Sequence, residues 1–284
     1  MRVDLHLHST ASDGASRPAQ VVREAAKRRI ALIALTDHDS VDGVAEAASS
    51  AVREGVAFIP GVEFSCESET EVHLLGYGLD IGHAGWRAFL REMQQARRER
   101  ASRMIRLLNE QGCSLDEAAV LGSAAHAVSR THIARALVDG RKASSVKEAF
   151  QRYLGPGCSA YALRVRLPMR EAIERVGEAG GIPVLAHPGL LRMRNDVIGD
   201  CVRQWREQGL MGVEAHHPGH APAQSAAFDR LARELGMLVT GGSDAHGALV
   251  RPTRIGEGLG GWVQSERDAR ALWQRAAHKA GELP

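Results

Sequence analysis

The sequence predicts an α/β chain in which βα units gather into a barrel, interrupted once by a long helical insertion. Three observations predict this. Short apolar runs alternate with amphipathic, helix-like segments over most of the 284 residues. The alternation stops between Gly78 and about Arg166, where helical segments follow one another without a strand. Finally, His, Asp and Glu recur at the ends of the apolar runs, from Val3-Asp4-Leu5-His6-Leu7-His8 to Ser243-Asp244-Ala245-His246. These positions spread over about 240 residues, and only a fold that gathers strand ends could unite them.

Val3–His8 reads as the first strand, with His6 and His8 projecting to one face and Leu5 and Leu7 to the other. Asp13 follows in the loop Ser12-Asp13-Gly14, and Pro18–Arg29 reads as a helix with Pro in its first turn. Ala31–Thr36 is apolar almost throughout, as a strand buried on both faces should be, and runs into Asp37, His38 and Asp39. A helix over Gly43–Glu54 leads to a third strand, Ala57–Val62, which Glu63 ends; Val72–Tyr77, carrying His73, is the fourth. The intervening Phe64–Glu71 is too short for a helical crossover, which leaves a hairpin or an irregular part of the barrel. Later strands at Pro183–Ala186, Met211–Glu214 and Met237–Thr240 alternate with helices at Met169–Glu178, Asp196–Gln208 and Ala221–Leu235. His187 directly follows the first of these strands, and Asp244 and His246 come just after the last. In the insertion, Trp86–Glu110 reads as one long helix, with shorter pieces near Leu115–Leu121, Thr131–Val138 and Ser145–Leu154 before Gly155-Pro156-Gly157 breaks the chain. The expected division is a barrel of residues 1–77 and 167–284 and a helical cap of residues 78–166. The Trp262 region and a final helix near Glu266–Ala280 carry no recognisable chemistry.

With 44% hydrophobic residues the chain can bury a large core, and with 4% aromatics that core must rest on Ala, Leu, Val and Ile. The net charge is +2, unevenly distributed: Trp86 to Arg170 holds 16 Lys and Arg against 7 Asp and Glu, leaving 20 basic and 27 acidic residues elsewhere. A basic insertion on an acidic body fits an anionic substrate held beside carboxylate-bound metal; a solvated basic helix face is the alternative for Arg91–Arg106. Cys66, Cys113, Cys158 and Cys201 show no CxxC spacing and read as reduced thiols. No run approaches the roughly 18 apolar residues of a membrane span, and candidate ligands beginning at His6 argue against a cleaved leader. The expectation is a cytoplasmic protein with no membrane association and no obligate protein partner.

Imidazole plus carboxylate without thiolate suits Zn, Mn or Fe. Any one of these histidines alone would more often be an ordinary hydrogen-bonded residue. Six histidines and three carboxylates at successive strand ends are a different signal: a multinuclear metal site in a hydrolase.

The motifs DLHLHST at Asp4–Thr10, SDG at Ser12–Gly14, TDHD at Thr36–Asp39 and GVEFS at Gly61–Ser65 continue through VHLLGYG at Val72–Gly78, AHPG at Ala186–Gly189, GVEA at Gly212–Ala215 and GGSDAH at Gly241–His246. Together they resemble the PHP (polymerase and histidinol phosphatase) superfamily of metal-dependent phosphoesterases, over nearly the whole chain. The resemblance implies a distorted (β/α)7 barrel with three divalent metal ions, Mn2+ foremost and Zn2+ or Fe2+ as alternatives. It would place His6, His8, Glu63 and Asp244 on one ion, Glu63, His73 and His187 on a second, and Asp13, His38 and His246 on the third. Asp37 and Asp39 would orient ligating imidazoles.

Ser129-Arg130-Thr131-His132 and the YLGPG segment at Tyr153–Gly157 are similar to the branch containing 3′,5′-nucleotide bisphosphate phosphatases and enzymes that trim short RNA from its 5′ end. In that branch Arg130, His132 and His220 would contact phosphate, while a metal-bridging hydroxide beside Glu63 attacks phosphorus. His132 and His220 would also be candidates for protonating the leaving oxygen. The alternative for Arg130 and His132 is that they cap the helix starting there. His216-His217-Pro218 departs from the small or aromatic residues usual in the branch. The expected substrates are nucleotides or short RNA. A histidinol-phosphate phosphatase and a noncatalytic metal or nucleotide sensor are the rival readings.

Overall fold

Seven strands follow one another around a nearly closed barrel, and the insertion enters between the fourth of them and the rest. The computed structural model describes residues 1–67, 71–124, 127–163, 167–191, 193–247, 253–259 and 266–276; the Trp262 region, Arg166 and the chain beyond Ala276 lie outside the described residues. The strands are β1 (Val3–Leu7), β2 (Leu32–Leu35), β3 (Ala57–Glu67), β4 (Glu71–Tyr77), β5 (Leu167–Pro168), β6 (Ile182–Leu185), β7 (Gly212–His216) and β8 (Leu238–Gly241). Their order is β1-β2-β3-β4-β6-β7-β8, with the two-residue β5 pairing off this path to β3. A bridge between Leu7 and Ala245 brings the first strand back to the chain leaving the last.

Two strand details differ from the sequence expectation. Glu63 does not end β3. The strand pairs parallel with β2 as far as Pro60, then antiparallel with β4 from Gly61↔Tyr77 to Glu67↔Glu71. Glu63 therefore lies inside the strand, bridging His38 in parallel on one edge and pairing antiparallel with Leu75 on the other. The hairpin also carries His73 back to the same end of the barrel, opposite Ser65. In β1, Leu5 and Leu7 do not share a face. The register slips between Asp4 and Leu7, so Leu5 packs in the barrel interior and Leu7 beneath the outer helices. A β-bulge of this kind re-aims side chains at a barrel rim.

The interior cluster takes one layer from each side of the barrel, including Leu5, Ala34, Ile59, Leu75 and Val184. Leu272 and Trp273 of the last helix, α10 (Glu266–Ala276), join it beside Val3, Leu32, Ala57 and Ile182, at the N-terminal ends of those strands. That helix closes the floor, a role its sequence did not announce. Outside, α1 (Pro18–Lys27) and α2 (Val44–Glu54) cover Ile33 and Leu35. The helices α7 (Met169–Glu178), α8 (Asn195–Glu207) and α9 (Pro222–Glu234) cover Leu185, Val213 and Val239.

The insertion contains α3 (Ala84–Glu110), α4 (Glu117–Gly122), α5 (Arg130–Asp139) and α6 (Val146–Ala149), the last running into a π-helical turn at Phe150–Leu154. At 27 residues, α3 is roughly 40 Å long and serves two cores. Trp86, Phe89 and Leu90 pack with Phe64 and Val72 of the barrel, whereas Met104, Ile105 and Leu108 pack with Ile133, Leu137 and Leu154 of the insertion. Among the described residues no helix is long and apolar enough to cross a membrane, and all four cysteines are free thiols.

Candidate metal centre

The ends of the strands carry the site, and Glu63 stands at its middle. One carboxylate oxygen, Oε2, lies 3.2 Å from His6 Nε2, 3.2 Å from His8 Nε2 and 3.1 Å from His38 Nδ1. The other, Oε1, lies 2.7 Å from His73 Nδ1 and 3.0 Å from His187 Nε2. Asp244 Oδ1 faces His8 Nε2 at 3.2 Å and His6 Nε2 at 3.6 Å, while Asp13 Oδ1 faces His246 Nε2 at 3.2 Å. All nine residues singled out from the sequence as ligands converge here. They form three groups whose candidate ligand atoms lie within 4.8 Å of one another: His6, His8, Glu63 and Asp244; Glu63, His73 and His187; and His8, Asp13, His38 and His246. His8 belongs to two of them.

The backbone is bent to make this possible. Asp39, His187 and Asp244 have φ of 48°, 25° and 51°, in a region that costs non-glycine residues about 1–3 kcal/mol each. A Cβ at position 242 would come within 2.3 Å of His6 Cβ, and one at position 14 within 2.6 Å of the His8 carbonyl. Glycine at both positions lets the last strand's loop and the first loop press against β1.

Outside the cage, a layer of hydrogen bonds aims its members. Glu214, wholly buried in the middle of β7, accepts the Nδ1 proton of His6 at 3.1 Å and the main-chain N–H of His187 at 2.7 Å. With Nδ1 committed to Glu214, His6 presents Nε2 to Glu63 at the centre of the cage. His246 donates from Nδ1 to the Asp244 carbonyl at 2.9 Å, which likewise leaves Nε2 for Asp13. Asp4 accepts from the Ser243 N–H and hydroxyl and from the Gly256 N–H, fixing the loop that carries Asp244. Neither Asp4 nor Glu214 was picked out from sequence. Each is a carboxylate in an apolar strand, the signal that served for Glu63.

Asp37 orients the first loop rather than an imidazole: it accepts from the Ser9 N–H, the Ser9 hydroxyl and the Ser12 hydroxyl. Asp39 receives Arg97 from α3. The insertion reaches the cage a second time through Asp13, whose Oδ2 accepts from the Ser129 and Thr131 hydroxyls, both at 3.1 Å.

Burial works against charge on every group here, and the neighbours decide the outcome. Carboxylates around His8 overcome burial and raise its pKa to about 10, and His6 is likewise pushed well up by Glu214 and Glu63. Glu63 and Asp13 lie well below the usual carboxylate range because surrounding imidazoles outweigh their desolvation. Burial prevails at His38, holding it down to about 3, with Arg97 pushing the same way.

The cage as it stands is chemically incomplete. His6 Nε2, His8 Nε2, His38 Nδ1 and Glu63 Oε2 are buried without a hydrogen-bond partner among the described residues, and an unsatisfied buried polar atom costs about 1–3 kcal/mol. Atoms of this kind aimed at one another across about 3 Å are what a shared cation would satisfy. Imidazole and carboxylate donors suit a first-row divalent ion. The cluster is therefore able to bind metal ions.

A cavity of about 650 Å³ opens over the cage, lined on one side by Asp13, Glu63 and His73 and on the other by Arg97, Arg100, Arg130 and Lys147 of the insertion. Arg130 lines the same cavity as the cage, with its guanidinium 5.4 Å from the Phe150 ring and 5.9 Å from that of Tyr161. The two other substrate candidates, His132 and His220, are both engaged in hydrogen bonds with the main chain. His132 accepts the Ser129 N–H at Nδ1, 3.1 Å away, closing the cap of α5. His220 uses both nitrogens, donating to the Ala215 carbonyl and accepting the Gly189 N–H, each at 3.0 Å. It ties the loop after His187 to β7.

Residues 4–156 match the model of the PHP domain. The chain is 34% identical to the 3′,5′-nucleoside bisphosphate phosphatase of Chromobacterium violaceum, covering 96% of this chain and 95% of that one. It is 34% identical to the 5′-3′ exoribonuclease of Haemophilus influenzae over 86% and 90% of the two chains. A solved structure of an amidohydrolase from Chromobacterium violaceum with bound sulfate matches with a TM-score of 0.86 at 33% identity, over 97% of each chain. The ligand cage, the seven-strand barrel and these likenesses lead to one conclusion: the chain belongs to the PHP domain family and is a metal-dependent hydrolase.

Proposed function

We propose that the protein removes the 3′-phosphate from nucleoside 3′,5′-bisphosphates, with short 5′-phosphorylated RNA as a second substrate. The observation that carries this reading is the two-sided cavity, with a metal-binding cage on one wall and four cationic side chains on the other. A ligand with two phosphates can use both walls at once. The names of the bisphosphate phosphatase and exoribonuclease relatives support this substrate class, and the sulfate bound in the solved relative is a tetrahedral anion of the same shape as phosphate.

In this reading the three groups of ligands hold three divalent ions, Mn2+ foremost. Bound divalent metals supply a nucleophile from water at neutral pH and neutralise charge on the phosphoryl oxygens. Glu63 presents one oxygen to each of two groups and so fixes their spacing. Glu214 and the Asp244 carbonyl keep His6 and His246 in the tautomer that offers Nε2. Arg130, braced against two rings, offers a planar fork to the phosphate away from the cage. Residues 78–166 act as the cap that brings those cations over the site. Free thiols and the absence of a long apolar helix among the described residues suit a cytoplasmic enzyme.

The test is phosphate release by Mn2+-loaded protein from adenosine 3′,5′-bisphosphate, histidinol phosphate and a short 5′-phosphorylated RNA. Preferred release of the 3′-phosphate from the bisphosphate supports the reading. Preference for histidinol phosphate, or no hydrolysis of any of the three by protein with metal bound, would overturn it, the second outcome pointing to a sensor.

A further inference from the structure

Among the cations lining the cavity, Arg97 is the most deeply buried, at 8% exposure. It leaves α3 between Leu90, which packs in the barrel's core, and Ala101, which packs in the insertion's. Its backbone is therefore held from both sides. Its Nε donates to Oδ2 of Asp39, a wholly buried carboxylate one residue beyond His38. This pairing neutralises Asp39 and fixes the plane of the guanidinium.

One edge of the fork remains. Nη2 is buried and has no hydrogen-bond partner among the described residues, although the side chain borders the same cavity as Asp13 and His38. A lysine would neutralise Asp39 equally well. What arginine adds is a second, rigidly aimed donor, and leaving it without an acceptor in the interior is costly. The acceptor that fits is an anionic oxygen brought in by a ligand.

We propose that Arg97 is a phosphoryl anchor, held by Asp39 so that Nη2 donates to an oxygen of the phosphoryl group bound over the cage. The ligand class rests on the phosphoester reading above; the anion site itself rests on Arg97 alone. Arg97 would then grip the phosphoryl group at the metals, and Arg130 the phosphate farther from them.

The experiment is calorimetric titration of inorganic phosphate into Mn2+-loaded native protein, Arg97→Lys and Arg97→Gln, with metal content and Tm measured on each. Arg97→Lys retains a cation for Asp39 and is the variant that decides if Arg97→Gln fails to fold. The expected result is unchanged metal content in Arg97→Lys, with phosphate bound about ten- to a hundredfold more weakly, the worth of one charge-assisted hydrogen bond. Native phosphate affinity in Arg97→Lys would overturn the proposal. Weaker phosphate binding accompanied by an equal loss of metal would also overturn it, because Arg97 would then be a brace for the His38 loop. If the native protein fails to hydrolyse adenosine 3′,5′-bisphosphate while phosphate binding still drops in Arg97→Lys, the substrate reading falls and the anchor stands.

Discussion

The barrel and the insertion meet over one cavity with opposite chemistry. The barrel brings imidazoles and carboxylates on strand ends and the tight loops after them, fixed by buried hydrogen bonds and by backbone turned to positive φ at Asp39, His187 and Asp244. The insertion brings arginines and a lysine on helices, backed by aromatic rings and by a core of its own. The contrast follows from what each wall must do. Ligands that share an ion must be placed to a fraction of an ångström, which strand ends can achieve. Cations that attract a flexible anion tolerate more variation, and helices can present them. The two walls are nonetheless coupled, because Ser129 and Thr131 hold Asp13, and Arg97 holds Asp39.

The largest effect should come from the barrel wall. Glu63→Ala removes the carboxylate that both sides of the cage share, and turnover should fall on the order of a thousandfold or more with loss of bound metal. Near-native turnover in a folded Glu63→Ala protein would separate the cage from the chemistry. Next is the support behind it: Glu214→Gln should lower metal affinity or activity by about 10–100-fold, by releasing His6 and the loop at His187. A metal titration monitored by Tm would show this.

The contact between the walls gives the third prediction. Ser129→Ala with Thr131→Val deprives Asp13 Oδ2 of two donors, and should weaken one class of metal site about tenfold while leaving the others unchanged. Equal weakening of every site would mean that the insertion holds the cage as a whole.

Acidity distinguishes the empty cage from the filled one. In metal-free protein the raised His8 stabilises the fold fully below its ordinary pKa of 6.5 and ceases to do so as pH rises toward about 10. The depressed Glu63 and Asp13 act oppositely, stabilising above the usual carboxylate range and losing that effect as acid is added. The Tm of metal-free protein should therefore fall between pH 6.5 and 9. Metal requires neutral imidazoles, so the rise in Tm on adding Mn2+ should grow over the same interval. A rise of constant size would contradict the assignment.

The smallest effect should be His132→Ala, which loses a cap interaction worth about 1 kcal/mol. It should lower the Tm slightly and leave kcat within severalfold. A loss of kcat of a hundredfold or more would return His132 to the chemistry.

The cage was legible in the sequence because imidazoles and carboxylates recur within or just after apolar strands, and nine of them in that pattern leave few other readings. Its support was less legible. Glu214 and Asp4 break the same kind of strand, but only the folded chain shows that they face the back of the site. Asp37 was found as a residue but not the loop it holds, and the ion pair of Asp39 with Arg97 was not foreseen, since these partners are distant in sequence. The register slip in β1 left no trace in the alternation of Leu5 and Leu7. His132 and His220 were read by residue type, and their hydrogen bonds depend on Ser129, Ala215 and Gly189, which sequence spacing alone does not bring near. The long helix α3 was evident, but not that it divides between two cores, with Arg97 at the division.

The most direct test of the account is metal content per chain after loading with Mn2+ and removal of free ion, for native protein and Asp13→Ala. The account predicts three ions in the native protein and two in the folded variant. One ion or none in the native protein, or a full complement in Asp13→Ala, would contradict it.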